Sequence, residues 1–413
     1  MKFPPCLIPL AMAGLAMAPA AAQDLFAVRA RYLHTGTGET LEHAVMLVAD
    51  GKIVTIGEDL PIERGIPVLE LDENQVLIPG LVNAYSRIGM SGGGYSDSRP
   101  YIKASDELNP GSSAYKDALE QGIVMLGQVP AGTGIPGRAV AVRTAGGPMG
   151  ASAAADSVYL KVQMRSNSSS KRNLSDGFKK ADQWLEKEAK NRKKYDDAKE
   201  KAGKEKDKDK KKAALEKLGE YKPTANDPKV EAFLEMREGE LKMLVSLDRA
   251  GTYLHLLDAL GEEDVQWDLR LPLSTESDFF YVIDQIGEQG AAVMMEPLLT
   301  LYPGTLRQRN MPADMARAGA KLILIPRTDS IASFRTWLRD TGVIVAAGLD
   351  AGAGVRAMTL EPAIFLGLGE THGSLEVGKA ADFLVLSGKP FEPATEVEAV
   401  FLDGALVHGE VDL

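Results

Sequence analysis

The chain has 413 residues, of which 58 are acidic, 47 are basic and one is a cysteine, so its formal charge is −11. This length exceeds a single typical domain of about 100–200 residues, and 45% hydrophobic and 25% charged residues are ordinary values for a globular protein. These totals exclude a disulfide-stapled miniprotein, a collagen-like fibre and a wholly disordered chain. The acidic balance also argues against nucleic acid as the general partner.

The N-terminal residues have the pattern of a secretory leader. Lys2 supplies a positive start, an apolar stretch runs from Leu7 to Met17, and small residues precede a predicted cleavage site near Ala22. The alternative is a short buried helix. Cleavage after residues 1–22 would remove Cys6, the only cysteine, and would leave no membrane anchor. We therefore predict a periplasmic or secreted protein.

Both ends of the remaining chain have the pattern of short strands. Near the N-terminus, two apolar runs flank Asp50-Gly51, a pair that favours a hairpin turn because both residues tolerate positive φ. The C-terminal end repeats this arrangement around Asp403-Gly404. We predict that residues 23–82 and 376–413 meet in one small composite β-sandwich domain.

The middle of the chain, residues 83–375, alternates apolar runs with helix-like stretches. Predicted strands include residues 124–126, 140–142, 244–245, 291–294, 322–325 and 343–346, and predicted helices include residues 250–260, 278–289 and 330–341. Near-continuous apolar runs are typical of buried parallel strands. The alternation therefore predicts a mainly parallel α/β sheet or barrel.

A charged insert interrupts this alternation at residues 171–222. It holds 19 basic and 12 acidic side chains, a net +7, whereas the rest of the chain after residue 22 has a net charge of −19. Residues 199–212 have almost no apolar side chains and cannot bury a face. We predict a solvated helical or disordered insert, with docking to a protein partner favoured over binding to nucleic acid or an anionic surface.

Three segments carry a resemblance to a known family. Val76–Ala84 contains Pro79-Gly80-Leu81, Gly373–Leu386 contains a Gly-Lys-Ala-Ala-Asp segment, and Val400–Gly404 forms a final hairpin. In this order and at this separation they resemble the amidohydrolase superfamily, most closely its imidazolonepropionase-like exported group. The resemblance implies an α/β protein with a (β/α)8 TIM-like barrel and the small composite β-sandwich. It also implies hydrolysis of C–N bonds, assisted by zinc or another divalent metal.

The metal ligands implied by the family are missing from their positions. The His-x-His pair aligns with Tyr85-Ser86-Arg87, and Ser246 stands where relatives place a later histidine. An arginine guanidinium cannot ligate a metal near neutral pH. After residue 22 the chain has five histidines, each read as structural or exposed: His34, His43, His255, His372 and His408. We therefore predict no metal ligands and no cofactor.

Asp350 is the candidate catalytic residue, since it follows residues 343–346, which resemble the last metal-binding strand. Its alternatives are an ion pair with Arg87 or a simple loop carboxylate. The predicted pocket residues are Tyr85, Arg87, Ser246 and Arg249.

Three functions follow from these residues. The first is an amidohydrolase-family protein that has lost most of its metal site and serves as a non-catalytic or regulatory partner of an active homologue, or as a homo-oligomer. The second is an active hydrolase of amide or cyclic amide bonds, with divergent groups around Asp350, Tyr85 and Arg87. The third is a module that binds a small anion at Arg87 and Arg249.

Overall fold

The computed structural model describes residues 25–94, 97–144, 151–225 and 227–411, so the predicted leader lies outside the described residues. The N-terminal strands are β1 (Phe26–His34), β2 (Thr40–Ala49), β3 (Lys52–Glu58), β4 (Val68–Glu70) and β5 (Val76–Pro79). Asp50 and Gly51 connect β2 to β3 with φ values of 50° and 77°. Positive φ at both positions is what a tight hairpin turn requires, and the predicted hairpin is confirmed.

The first part of the barrel begins directly after β5. Its elements are β6 (Leu81–Ser86), a 3-10 turn (Ala104–Glu107), α1 (Ser113–Leu119), β7 (Ile123–Gln128), β8 (Gly137–Arg138), β9 (Val140–Arg143), β10 (Ser152–Ala155) and β11 (Leu160–Met164). Strands β6 and β7 are buried along almost their whole length, as expected of strands covered on both faces. They pack so closely that a Cβ on Gly127 would lie 2.3 Å from the Ala84 carbonyl oxygen.

The charged insert is helical rather than disordered over most of its length. It lies between β11 and the next barrel strand and is formed by most of α2 (Ser168–Gly203) and by α3 (Lys208–Leu218), after which α4 (Pro228–Arg237) leads back to the barrel. Asn167, Asp207 and Asp227 cap the three helices by accepting hydrogen bonds from backbone N–H groups of the first turn. No helix of the described residues is long and apolar enough to cross a membrane.

The second part of the barrel alternates strands and helices. Its elements are β12 (Met243–Leu247), α5 (Ala250–Leu260), β13 (Trp267–Arg270), a 3-10 turn (Phe279–Tyr281), α6 (Ile283–Gln289), β14 (Ala292–Met295), β15 (Thr300–Leu301), β16 (Gln308–Arg309), α7 (Met311–Arg317) and β17 (Lys321–Leu324). Strands β15 and β16 form a small separate hairpin. The predicted strand–helix alternation is therefore present here.

Four helices follow: α8 (Ile331–Arg335), α9 (Trp337–Ala346), α10 (Ala351–Met358) and α11 (Leu360–Phe365). The strand predicted at residues 343–346 is wrong, because these residues form the end of α9. The buried positions of this helix are Trp337, Leu338, Thr341 and Ile344, whereas Val343 is 51% exposed. That spacing belongs to one face of a helix, although a short β-branched run by itself favours a strand.

The two chain ends share one sheet. Strands β18 (Phe383–Leu386), β19 (Val397–Leu402) and β20 (Ala405–His408) complete the order β20-β19-β18-β5-β1-β2-β3, with β4 paired to β1. The antiparallel β5–β18 ladder, which sets Pro79 opposite Phe383, joins the ends. The sheet has its own apolar core, in which the Phe383 and Phe401 rings stack with centroids 4.3 Å apart.

The barrel strands form two sheets. Strands β6 and β7 run parallel and continue into antiparallel β9 and β10, while β11, β12, β13, β14 and β17 run parallel, with short β8 antiparallel to β11. Among the described residues no backbone ladder joins β17 to β6. One large apolar cluster nevertheless spans both sheets and the surrounding helices. The predicted fold class, a TIM-like barrel with a small β-domain, is confirmed.

A buried ion-pair cluster fastens the barrel to the β-domain. Arg143, at the end of β9, contacts Asp382 just before β18 and donates a 2.7 Å hydrogen bond to Asp403 in the β19–β20 turn. The Asp382 side chain is 4% exposed, and its burial raises its pKa although Arg143 opposes this. His372 Nε2 lies 3.8 Å from the second Asp382 oxygen.

Two partly buried histidines predict how stability depends on pH. Burial lowers the pKa of His34 and of His372 below 6.5, so the fold favours their neutral forms. A depressed pKa in the folded state gives stability that is present above 6.5 and is lost as the pH falls through the folded pKa. We expect the free energy of unfolding to decrease between about pH 7.5 and pH 5.5.

The matched variant is the double substitution His34→Asn and His372→Asn, which keeps Asp382. Its free energy of unfolding, measured by urea titration, should fall less over this pH range than that of the wild type. Equal losses in the two proteins would contradict the assignment to these histidines.

Candidate functional site at the barrel mouth

The carboxyl ends of the parallel strands meet at one end of the barrel, where sites of TIM barrels form. Five residues from five different strands or strand ends converge there, and we call them the mouth cluster: Tyr85, Lys161, Ser246, Arg270 and Glu296. They come from β6, β11, β12, β13 and the residue following β14. Tyr85 and Ser246 of this set were predicted from the sequence, whereas Lys161, Arg270 and Glu296 were not.

Arg270 holds the mouth cluster together. Its guanidinium carbon lies 4.4 Å from the centre of the Tyr85 ring, and Nη2 donates to Glu296 Oε1 at 3.0 Å. Nη1 lies 3.4 Å from the Ser246 hydroxyl oxygen. The other Glu296 oxygen accepts from the Leu273 backbone N–H at 2.8 Å. The carboxylate, 9% exposed, is thus occupied by one cation and one backbone donor.

Lys161 brings a second cation to the same ring. Its ammonium nitrogen lies 5.6 Å from the Tyr85 ring centre and donates to the Pro130 carbonyl oxygen at 2.9 Å. Cations attract the negative face of an aromatic ring more strongly when they are shielded from water. Next to this ring, the buried Tyr159 hydroxyl donates to the Ala84 carbonyl oxygen at 2.9 Å, and burial raises the pKa of Tyr159 far above its ordinary value.

Arg87 does not pair with Asp350, so the predicted ion pair is wrong. Its Nη1 donates to the Val129 carbonyl oxygen at 2.7 Å and lies 3.4 Å from Glu107 Oε2. Glu107 ends the 3-10 turn that follows the long loop after β6, close enough in sequence for a local pair. Arg87 is therefore engaged by Glu107 of its own loop and by the carbonyl oxygen that follows β7.

Asp329 holds the position that the sequence analysis gave to Asp350. It follows β17, and its two carboxylate oxygens accept from the Ser86 hydroxyl at 2.6 Å and from the Arg87 backbone N–H at 2.5 Å. These bonds connect the end of the last barrel strand to the end of the first. The signal was present in the sequence, since Thr328-Asp329-Ser330 comes soon after an apolar run that was itself predicted as a strand.

Asp350 lies elsewhere. It is exposed and caps α10, where its carboxylate accepts from the Ala353 N–H at 2.8 Å. A Cβ on Gly352 would lie 3.2 Å from Asp350 and 2.9 Å from the Gly38 carbonyl oxygen, so this cap faces the β1–β2 connection. Its place at a barrel strand end was predicted from a segment that is helical, which explains the error.

Arg249 lines a different part of the mouth. Its side chain is 61% exposed and lies 3.8 Å from Asp248. It borders a cavity of about 350 Å³ together with Asp248, Glu276 and Asp278, and Arg87 is not among the lining residues. An anion in this cavity would face three carboxylates and one arginine. The two predicted anion-binding residues therefore do not share this cavity.

The residues at the mouth do not fit a divalent metal. Among the described residues, no group of three or more histidine, cysteine, aspartate and glutamate side chains is arranged to hold a metal ion. Three carboxylates near the strand ends, Asp248, Glu296 and Asp329, already accept hydrogen bonds at both oxygens. Arg270 and Lys161 place positive charge at the Tyr85 ring, and neither a guanidinium nor an ammonium has a lone pair to donate.

The architecture is that of a TIM-like barrel with a β-domain built from both chain ends. Residues 305–408 match the amidohydrolase family model. This match covers about a quarter of the chain and is to the family that the sequence resemblance named. No curated protein matches the chain.

Solved structures agree on the fold. An amidohydrolase from Thermotoga maritima has a TM-score of 0.70 and 21% identity, with 93% of this chain and all of that chain covered. A prolidase complexed with N-methylphosphonate-L-proline has a TM-score of 0.52 and 13% identity, covering 94% of this chain and all of that one. A dihydropyrimidinase from Brevibacillus agri has a TM-score of 0.51 and 14% identity, covering 93% and 95%. At these identities the likeness concerns the fold alone.

Proposed function

We propose that this protein is a non-catalytic member of the amidohydrolase superfamily, in which side chains have replaced the metal site. The observation that carries the proposal is Arg270, whose guanidinium contacts Tyr85, Ser246 and Glu296 at the strand ends. Metal-assisted hydrolysis needs an ion that activates water and polarises the scissile carbonyl. A guanidinium fixed at this position repels a divalent cation, and metal ligands cannot coordinate it as they would coordinate the ion.

The alternative of a metal-free hydrolase has weaker support. A serine nucleophile needs a neighbouring base to accept its proton. Among the described residues the Ser246 hydroxyl is bonded to Arg270, which is a cation and not a base. Glu296 could act as a base only after giving up its bonds to Arg270 and to the Leu273 N–H. Asp350, the predicted catalytic residue, caps a helix.

The proposed role is that of a regulatory or structural partner, exported after cleavage near Ala22, for an active homologue. A barrel that keeps its core while its mouth is filled by side chains can still present the family's outer surface. Affinity purification from the native host tests this role. A stoichiometric homologue with an intact His-x-His motif would support it, and recovery of the chain without any such homologue would contradict it.

Substitution of histidine into the mouth tests the loss of the metal site. The double variant Arg87→His with Ser246→His should bind no zinc, because Arg270 stays between the strand ends. Adding Tyr85→His and Arg270→His should give stoichiometric zinc binding, measured by calorimetry on the purified protein. Within that quadruple variant, Asp329→Ala should weaken binding, whereas the control Asp350→Ala should not. Zinc binding by the double variant, or none by the quadruple variant, would contradict the proposed placement.

A further inference from the structure

The charged insert forms a projecting arm, which we define as residues 186–222. Helix α2 has 36 residues, and its last buried residue is Ala181. The remaining 22 residues of the helix extend about 33 Å at 1.5 Å per residue. Helix α3 folds back along α2 and has no buried residue. The base of α2, by contrast, is firmly packed, with the Phe178 and Phe233 rings edge to face at 5.0 Å.

Specific polar contacts give the arm a defined shape. The Tyr195 hydroxyl donates to the Gly219 carbonyl oxygen at 2.8 Å, and the Tyr221 hydroxyl donates to Glu188 at 2.6 Å. The Arg192 guanidinium lies 4.7 Å from the Tyr221 ring centre. Among the described residues, the side-chain hydrogen bonds and ion pairs of the arm stay within residues 186–224. The arm is thus a folded hairpin that continues from α2 and whose side chains are not bonded to its own body.

The end of this hairpin is rich in lysine. Residues 199–212, which we call the lysine tip, contain eight lysines and four acidic residues. Six of these lysines have exposed side chains with no hydrogen bond or ion pair in the described part of the chain: Lys199, Lys201, Lys206, Lys208, Lys210 and Lys212. The last four lie together between the end of α2 and the first turns of α3. The arm holds these lysines away from the acidic body of its own chain, and separating opposite charges in this way costs electrostatic free energy. Contact between the tip and another acidic surface would explain the separation.

We propose that the arm docks onto the acidic body of a second copy of this chain. Charge complementarity supports this occupant, because residues 171–222 have a net charge of +7 and the rest of the chain after residue 22 has −19. In a two-fold dimer each arm would contact the other body, so one arrangement satisfies both arms. The proposal is independent of whether the barrel is catalytic.

Sedimentation equilibrium of the full chain at low and high salt tests the proposal. The wild type should dimerise at about 0.05 M salt and dissociate at about 0.5 M, where the Debye length falls to a few ångströms. The variant Lys206→Gln, Lys208→Gln, Lys210→Gln and Lys212→Gln should raise the dimer dissociation constant about tenfold or more, since four exposed ion pairs each contribute modestly.

The matched control removes four exposed lysines from outside the arm: Lys52→Gln, Lys116→Gln, Lys321→Gln and Lys389→Gln. It has the same net charge as the tip variant and should dimerise at least as well as the wild type. A monomeric wild type at low salt, or equal weakening by both variants, would overturn the proposal. So would a wild type that stays monomeric but binds anionic vesicles or duplex DNA through the lysine tip.

Discussion

The substitution Arg270→Met is expected to destabilise the fold by about 3–5 kcal/mol, because it leaves a buried carboxylate without its cation. Glu296 is 9% exposed, and after the substitution only the Leu273 N–H would still donate to it. Because methionine keeps much of the apolar volume of arginine, the decrease in the free energy of unfolding measures mainly the loss of the charge and its hydrogen bonds. Urea denaturation at neutral pH measures the change in the free energy of unfolding.

Two further variants separate the ion pair from a general effect of losing an arginine. Adding Glu296→Gln to Arg270→Met should recover much of the loss, since a neutral pair leaves no buried charge uncompensated. Arg249→Met, at an exposed position, should change the free energy of unfolding by less than about 0.5 kcal/mol. If Arg270→Met costs no more than Arg249→Met, Arg270 does not hold the mouth cluster together.

The substitution Arg143→Met is expected to have an effect of similar size, about 3–5 kcal/mol at neutral pH, but one that depends on pH. It leaves Asp382 buried without its main cation at the junction of barrel and β-domain. Burial already raises the pKa of Asp382, and the loss of Arg143 raises it further. When the pKa of a carboxyl is raised in the folded state, ionisation of that carboxyl destabilises the fold. The loss in free energy of unfolding caused by Arg143→Met should therefore be smaller at lower pH, where Asp382 is protonated.

The control for this prediction is Asp403→Asn. The Asp403 side chain is 55% exposed, and its backbone N–H, which donates to Asp382 at 2.9 Å, is unaffected by the substitution. We expect a loss below about 1 kcal/mol, as for other exposed ion pairs. Unfolding of both variants at about pH 7 and pH 5 checks the difference. If Arg143→Met lowers the free energy of unfolding equally at both pH values, the role given to Asp382 is contradicted.

The β-domain could be predicted from the sequence because its signals are local. Asp50-Gly51 and Asp403-Gly404 specify tight turns, and the apolar runs beside them form the strands. The meeting of the two ends was predicted because both are rich in short strands, and the family resemblance implies the same, although the β5–β18 ladder pairs residues more than 300 positions apart. The helical state of the charged insert was one of two open alternatives, because beyond the packed base of α2 its helices depend on caps and on contacts between α2 and α3 rather than on an apolar face.

The mouth was only partly predictable. Tyr85 and Ser246 were found because they follow apolar runs or a motif, whereas Arg270 was missed because β13 is Trp-Asp-Leu-Arg, in which polar residues hide the strand. Asp350 was preferred to Asp329 because residues 343–346 are apolar and three of them are β-branched, and a run of four apolar residues does not distinguish a strand from a buried helix turn. Both the missed Arg270 and the wrong choice of Asp350 depend on long-range packing, which a local sequence pattern does not specify.

The metal content of the unmodified protein tests the replacement of the metal site most directly. The full chain would be expressed with added zinc, iron and manganese, purified without chelators, and analysed for bound metal by mass spectrometry. Arg270 at the centre of the strand ends predicts that each metal will be far below one equivalent per chain. One or two equivalents of any divalent metal, lost on Asp329→Ala but retained on Asp350→Ala, would contradict it.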